Sequence, residues 1–252
     1  GAASGAGEVH IAFGSMGNGV QLDTDTVDWT LRDTVDGDGI GESLLVADVT
    51  GDGVADLLVG GSSLGSDHRG EVWVFEGPLS ASTTIHTRSD AFAVLQGDED
   101  DRIGSALAFD EDVDGDVLLA VGGRRSSSND GVVHVVDPSS VTSGLNTLSS
   151  IATESLYGSD NEQFGTSVAF TEHGLAVGAP YHEDGTGDRV GRVHWFDYDG
   201  STGNFAAAIL FTGDGDIREV GQQVVNLGSA NGTSQELVGI VAKEGDGSIG
   251  DV

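Results

Sequence analysis

GEVWVFE, residues 70–76, reads as a glycine turn leading into a strand, because Val72, Trp73, Val74 and Phe75 are all strand formers. The same opening returns as GEVHIAF at Gly7, GVVHVVD at Gly131, GRVHWFD at Gly191 and GDV at Gly250. Successive copies lie 63, 61, 60 and 59 residues apart. Three further columns keep step with this one. The pairs Ile40-Gly41, Ile103-Gly104, Phe164-Gly165 and Val220-Gly221 form a second, and Val59, Val121, Val177 and Val238 a third. Asp33, Gly97, Gly158 and Gly213, seven or eight residues before the glycines of the second column, form a fourth. Columns in one order with one period mark an internal repeat, which decides the architecture before any local detail.

Each unit reads as four short strands. In the second they are ESLLVAD, DLLVGG, GEVWVFE and AFAVLQG, with period-two apolar alternation and glycines at the turns. No stretch sustains an apolar stripe of period 3.6, so the fold class is all-β. Four-stranded repeats are the unit of a β-propeller, in which each blade buries its faces on its neighbours. Residues 164–180, FGTSVAFTEHGLAVGAP, carry the Phe-Gly pair followed by Gly178-Ala179-Pro180. This segment resembles the FG-GAP repeat, the blade of the seven-bladed propeller in integrin α subunits and many bacterial surface proteins. Elsewhere the signature loosens to Ile-Gly and Val-Gly-Gly. The resemblance implies one propeller region over 1–252: a partial blade at 1–33, full repeats at about 34–97, 98–158 and 159–213, and a partial blade at 214–252. About four blades' worth of sequence is present. The two partial blades either close a four-bladed ring by strand exchange or belong to a larger ring, and the family's seven blades favour the second. The chain opens GAASGAGEV, as expected of a mature protein or an internal piece; no signal-peptide pattern is read there.

DVTGDGVAD, residues 48–56, interrupts the first two strands of the second unit with clustered carboxylates. Asp48, Thr50, Asp52 and Asp56 place side-chain oxygens at positions 1, 3, 5 and 9, Gly53 permits a sharp turn, and Val54 offers a backbone carbonyl. Calcium takes six to eight hard oxygens in a flexible shell, which this spacing can wrap around one point. An EF-hand needs Glu at position 12, where Val59 stands, and helices where these flanks read as strands. The remaining alternative is a solvated Asp/Gly hairpin. Asp110, Asp112, Asp114 and Asp116 repeat the pattern 62 residues on, with Leu118 at position 9. The third unit is expected to make a tight turn here. The last has Asn231-Gly232 but Leu227 at position 1, and is expected to be metal-free. The resemblance implies the same: FG-GAP repeats hold calcium between strands one and two. The expected cofactor is therefore Ca2+, in a structural role.

Composition narrows the partners. The 252 residues hold 42 acidic and 10 basic side chains, a net charge of −32, and Lys243 is the one lysine. Phosphate backbones and anionic bilayers need a basic face, so no nucleic acid and no direct membrane insertion are expected. High solubility in a salty or calcium-rich medium is an equally good reason for much of the charge. There is no cysteine, hence no disulfide or thiolate chemistry. No apolar run reaches the roughly 20 residues that span a bilayer. His10, His134 and His194 share a column with Trp73; lying in different units, they should not converge on one metal. The acidic lead-ins VDGDGIG, QGDEDDRIG, GSDNEQFG and TGDGDIREVG read as solvated turns that would gather on one face and could bind a ligand. Asn231-Gly232-Thr233 fits the glycosylation acceptor pattern but is too short to weigh. No GxSxG elbow, HExxH or phosphate loop is present, so no catalytic residues are assigned and no enzyme is expected. The reading is a calcium-binding extracellular or cell-surface module for a protein or glycan ligand. Alternatives are a structural subunit of a surface layer, filament or appendage that binds further copies of itself, and the propeller part of a polysaccharide-active enzyme.

Overall fold

The computed structural model describes residues 7–14, 27–34, 39–82, 84–113, 115–126, 129–214, 216–228 and 237–244. The chain is all-β. The first sheet holds β1 (Glu8–Ile11) and β2 (Trp29–Arg32). Next come β3 (Ser43–Ala47), β4 (Asp56–Gly61), β5 (Glu71–Phe75), the short β6 (Ile85–His86) and β7 (Ala93–Gln96). The third group is β8 (Ile103–Val113), β9 (Asp116–Gly123), β10 (Val132–Val136), β11 (Gly144–Thr147) and β12 (Glu154–Tyr157). Then follow β13 (Ser167–Thr171), β14 (Gly174–Ala179), β15 (Arg192–Asp199) and β16 (Asn204–Thr212), and last β17 (Ile217–Gly228) with β18 (Leu237–Glu244).

Within each central unit the four main strands pair antiparallel in simple sequence order, β3-β4-β5-β7, β8-β9-β10-β12 and β13-β14-β15-β16. Two strands depart from the four-per-unit pattern. Between its third and fourth strands the second unit sends β6 back to pair parallel with β2. The third unit likewise sends β11 back to pair parallel with β7. Each excursion covers the outer edge of the preceding sheet, whose amides would otherwise be open to another chain. The fourth unit turns directly from β15 to β16 and makes no such excursion.

The columns of the repeat are the residues that join one sheet to the next. Gly70, Gly131 and Gly191 bridge in parallel to Ile103, Phe164 and Val220. The amides of Ile103, Phe164 and Val220 donate to the carbonyls of Arg69, Asp130 and Val190 at 3.0, 2.9 and 3.1 Å. Gly158 and Gly213 donate back to Gly131 and Gly191 at 3.0 and 3.1 Å. At each seam a Cβ on the first-column glycine would collide with the backbone of the facing residue, and the glycine's φ is positive. Gly7 meets Ile40 in the same way. Hydroxyls add a second row: Ser43, Ser105 and Ser167 donate to the carbonyls of Gly104, Gly165 and Gly221 at 2.8, 3.1 and 2.9 Å.

These seams bring the sheet faces together, and a core lies between each adjacent pair. Val9, Trp29 and Leu31 pack with Leu57, Val59 and Trp73. Leu58, Val72 and Leu95 pack with Leu119, Val121 and Val132. Ala120, Val133 and Val135 pack with Phe170, Leu175 and Val177, and Ala176 and Val193 with Val220 and Val224. Inner strands such as β4, β5 and β14 are buried on both faces, which explains their continuous apolar runs. Among the described residues the stack does not close on itself.

Gly131 and Gly144 share a φ of 91°, but a Cβ at Gly131 would strike Phe164 while one at Gly144 meets open space. Gly144→Ala should cost only left-handed strain, about 1–2 kcal/mol. Gly131→Ala adds a steric cost of about 1–3 kcal/mol on top of it. Urea unfolding of the two variants measures the seam by difference.

Candidate functional site

The acidic segment 48–56 is an open loop joining β3 to β4, and its backbone amides turn inward onto its own carboxylates. Asp48 Oδ1 accepts from Gly51 and Asp52 at 2.8 and 3.2 Å, and Oδ2 accepts from Gly53 at 2.8 Å. Asp52 Oδ1 accepts from Val54 at 2.8 Å. Gly51 and Gly53 have φ of 75° and 83° with open space where a Cβ would be, so conformation and not crowding calls for glycine. Asp56 is fully buried. Its Oδ2 accepts from Val49 and Thr50, and its Oδ1 from Gly77, each at 3.0 Å. One carboxylate thus ties this loop to the chain leaving β5. Thr50 Oγ1 is a buried atom with no hydrogen-bond partner among the described residues. Among those residues no three His, Asp or Glu side chains converge closely enough to hold a metal by themselves.

The second acidic segment has similar letters and a different shape. Asp110 and Asp112 lie within β8 and Asp116 opens β9, with Asp110 opposite Leu118 and Val113 opposite Asp116. The two strands therefore run on through the segment. Asp114 lies outside the described residues. The Asp116 carboxylate accepts from Tyr198 Oη of the next sheet at 2.8 Å. The physical difference sits at position 9. Asp56 gathers three amides there and holds the first loop open, whereas the equivalent Leu118 is buried as an ordinary core residue. In the fourth sheet Thr171 pairs with Gly174, a tight turn. Residues 229–236, which contain Asn231, Gly232 and Thr233, lie outside the described residues. Between the first two segments is a cleft of about 730 Å³, lined by Asp48, Thr50, Phe109, Glu111, Val117 and Asp137 among others.

The strand-three rings do not converge; each meets its own acid. Trp73 Nε1 donates to Glu71 at 2.7 Å, and His10 Nε2 lies 3.2 Å from Glu8. His134 Nε2 lies 3.8 Å from Asp101, and His194 Nε2 lies 3.1 Å from Glu162. Asp101 and Glu162 both stand two residues before the second column, inside lead-ins that read as solvated turns, yet both are buried. Sequence reasoning missed these pairs. Their shared offset from Ile103 and Phe164 was the available signal.

Two titrations follow from this packing. Burial acts to raise the Asp101 carboxyl, but His134, the Asp98 amide and Ser126 together hold it below its usual value. Burial is the main cause lowering His182, reinforced by the Arg192 guanidinium, whose Nη2 is 2.5 Å from His182 Nε2. Arginine can only donate, so His182 Nε2 carries the lone pair and Nδ1–H faces Glu162, 3.7 Å away.

A search of curated proteins found no match to this chain. Three outcomes test the site. Asp56→Ala strands three amides and should cost about 3 kcal/mol or more in urea unfolding, while Asp48→Ala, whose amides reach water, should cost about 1. Folded His182 has the lower pKa, so the unfolded chain takes up the proton first as pH falls. Its contribution to stability is complete above 6.5 and declines below it; Tm against pH should flatten there in His182→Gln. Asp101 has the same sign, its contribution being lost at more acid pH, below 3.8. The family model described as the FG-GAP repeat matches residues 40–75, a span that takes in β3, the 48–56 loop, β4 and β5, so this stretch of the chain is similar to an FG-GAP repeat.

Proposed function

We propose that the chain is an arc of a calcium-stabilised β-propeller that works as an extracellular binding or adhesion module for a protein or glycan ligand, without catalysis of its own. The observation that carries this reading is a stretch similar to an FG-GAP repeat and containing the 48–56 loop, set in a stack of repeated antiparallel sheets. Sheets that bury their faces pairwise in chain order support this reading, because propeller blades stack in that way.

Calcium fits the first loop chemically. Asp48 and Asp52 bring carboxylates, Val54 a carbonyl, and the buried Thr50 hydroxyl lacks a partner that a hard cation would supply. Asp56 already receives three amides, so its first role is to hold the loop in shape. Bound calcium would offset repulsion among these carboxylates and fasten the first strand of the unit to the second. Asp110, Asp112, Asp114 and Asp116 form the weaker candidate, since Asp116 is engaged by Tyr198.

A second reading, a subunit that packs against copies of itself, draws support from exposed apolar residues on the edge strands of the second and fourth sheets. These are Leu44 and Val46 on β3 and Ile209, Leu210 and Phe211 on β16. Size exclusion in calcium separates the two, a monomer favouring the binding module.

Calorimetric titration of the calcium-stripped chain should show saturable binding that is lost at one site in Asp52→Ala. At calcium a hundredfold above Kd the gain is about 2.7 kcal/mol, a rise of roughly 5–10 °C in Tm. No binding heat and an unchanged melting curve in excess chelator would contradict the reading.

A further inference from the structure

Beneath the excursion that carries β6 lies a cavity of about 360 Å³ that shares no wall residue with the acidic loops, although Gly77, between its wall residues Glu76 and Pro78, is bonded to Asp56. Its wall includes the rings of Trp29, Phe75, His86 and Phe92 and the carboxylate residues Glu76 and Asp90. His86 stacks on Trp29 with ring centres 4.7 Å apart and planes 16° apart, and Trp29 meets Phe75 edge-on at 5.3 Å. His86 Nε2 is buried and has no hydrogen-bond partner among the described residues. A buried polar atom normally has one, so an orphan in a cavity wall calls for a polar occupant of the cavity.

The wall chemistry selects that occupant. Among the described residues two carboxylates and no lysine or arginine line it. The one arginine of the excursion, Arg88, is held away by Glu71, to which it donates twice, at 2.7 and 2.9 Å. An anion is therefore repelled. A bare metal ion wants six to eight oxygens, and among the described residues no three His, Asp or Glu side chains converge closely enough to hold one. An organic cation gains from both features at once, because ring faces attract it and carboxylates neutralise it. The charge of −32 raises the local concentration of any cation.

We propose that this cavity binds an organic ammonium group, with the rings as its wall, Glu76 and Asp90 as its counter-charge, and His86 Nε2 accepting one ammonium N–H. The ammonium is either a lysine side chain of a partner protein or a free polyamine. The proposal names a ligand class for the binding-module reading and rests on it for its biological sense, but no residue of the cavity wall is among the proposed calcium ligands.

The test uses n-butylammonium as probe and n-butanol as its neutral counterpart, followed by calorimetry and by the indole N–H NMR signals. Trp29 reports on the cavity, and Trp73 and Trp195 serve as internal references. The ammonium should bind saturably, about tenfold tighter than the alcohol. It should move the Trp29 signal alone, and bind several-fold more weakly in Glu76→Gln, an exposed substitution that leaves the core intact. Tighter binding of N-acetyl-lysine methylamide than of spermidine would assign the site to a protein partner, and the reverse to a free polyamine. Equal affinity for amine and alcohol, no saturable amine binding, a shift at Trp73 or Trp195 without Trp29, or an unchanged Glu76→Gln would overturn the proposal. Each titration is run with calcium and with chelator. Amine binding in either buffer upholds the cavity whatever loop 48–56 does, and its absence in both leaves the calcium reading to its own test.

Discussion

Gly70, Gly131 and Gly191 lie flat against the backbone of the next unit, and the stacking of every later sheet depends on that approach. A side chain at any of them would push two sheets apart. The apolar faces behind would lose contact together, because each core cluster is shared between neighbours and none belongs to a single sheet. The seam is made of backbone hydrogen bonds, so it places no demand on most side-chain identities around it. That explains how Ile103, Phe164 and Val220 occupy one position, and how the loops beyond the seam differ so widely in length and charge.

The repeat was legible because close backbone approach leaves a glycine in every copy. The inner strands of each unit were legible because a strand buried on both faces needs an unbroken apolar run, as in DLLVGG. The strands β6 and β11 were not. Each is short, and what makes it a strand is the open edge of the preceding sheet, a partner that no local pattern reveals.

The acidic residues divide in the same way. Letters alone made 48–56 and 110–116 look alike, and one residue separates them. A carboxylate at Asp56 collects amides and keeps a loop open, whereas Leu118 packs in the core, and there the two strands run on into the turn. The pairing of rings with Asp101 and Glu162 was hidden for a different reason. The partners are 33 and 32 residues apart in sequence and meet only once the lead-in folds under the third strand. A small part of the negative charge is thus not idle surface. Asp56, Asp101 and Glu162 are buried parts of the connections.

Hydrogen exchange at the amides of Ile103, Phe164 and Val220 tests the central claim most directly. Each is a single donor across a seam, to Arg69, Asp130 and Val190. If the seams hold the stack together, these three amides should exchange as slowly as the amides of β4 and β14, through global opening. Exchange at the rate of the 48–56 loop, with the inner strands still protected, would mean that the sheets stand without their seams and would contradict the account.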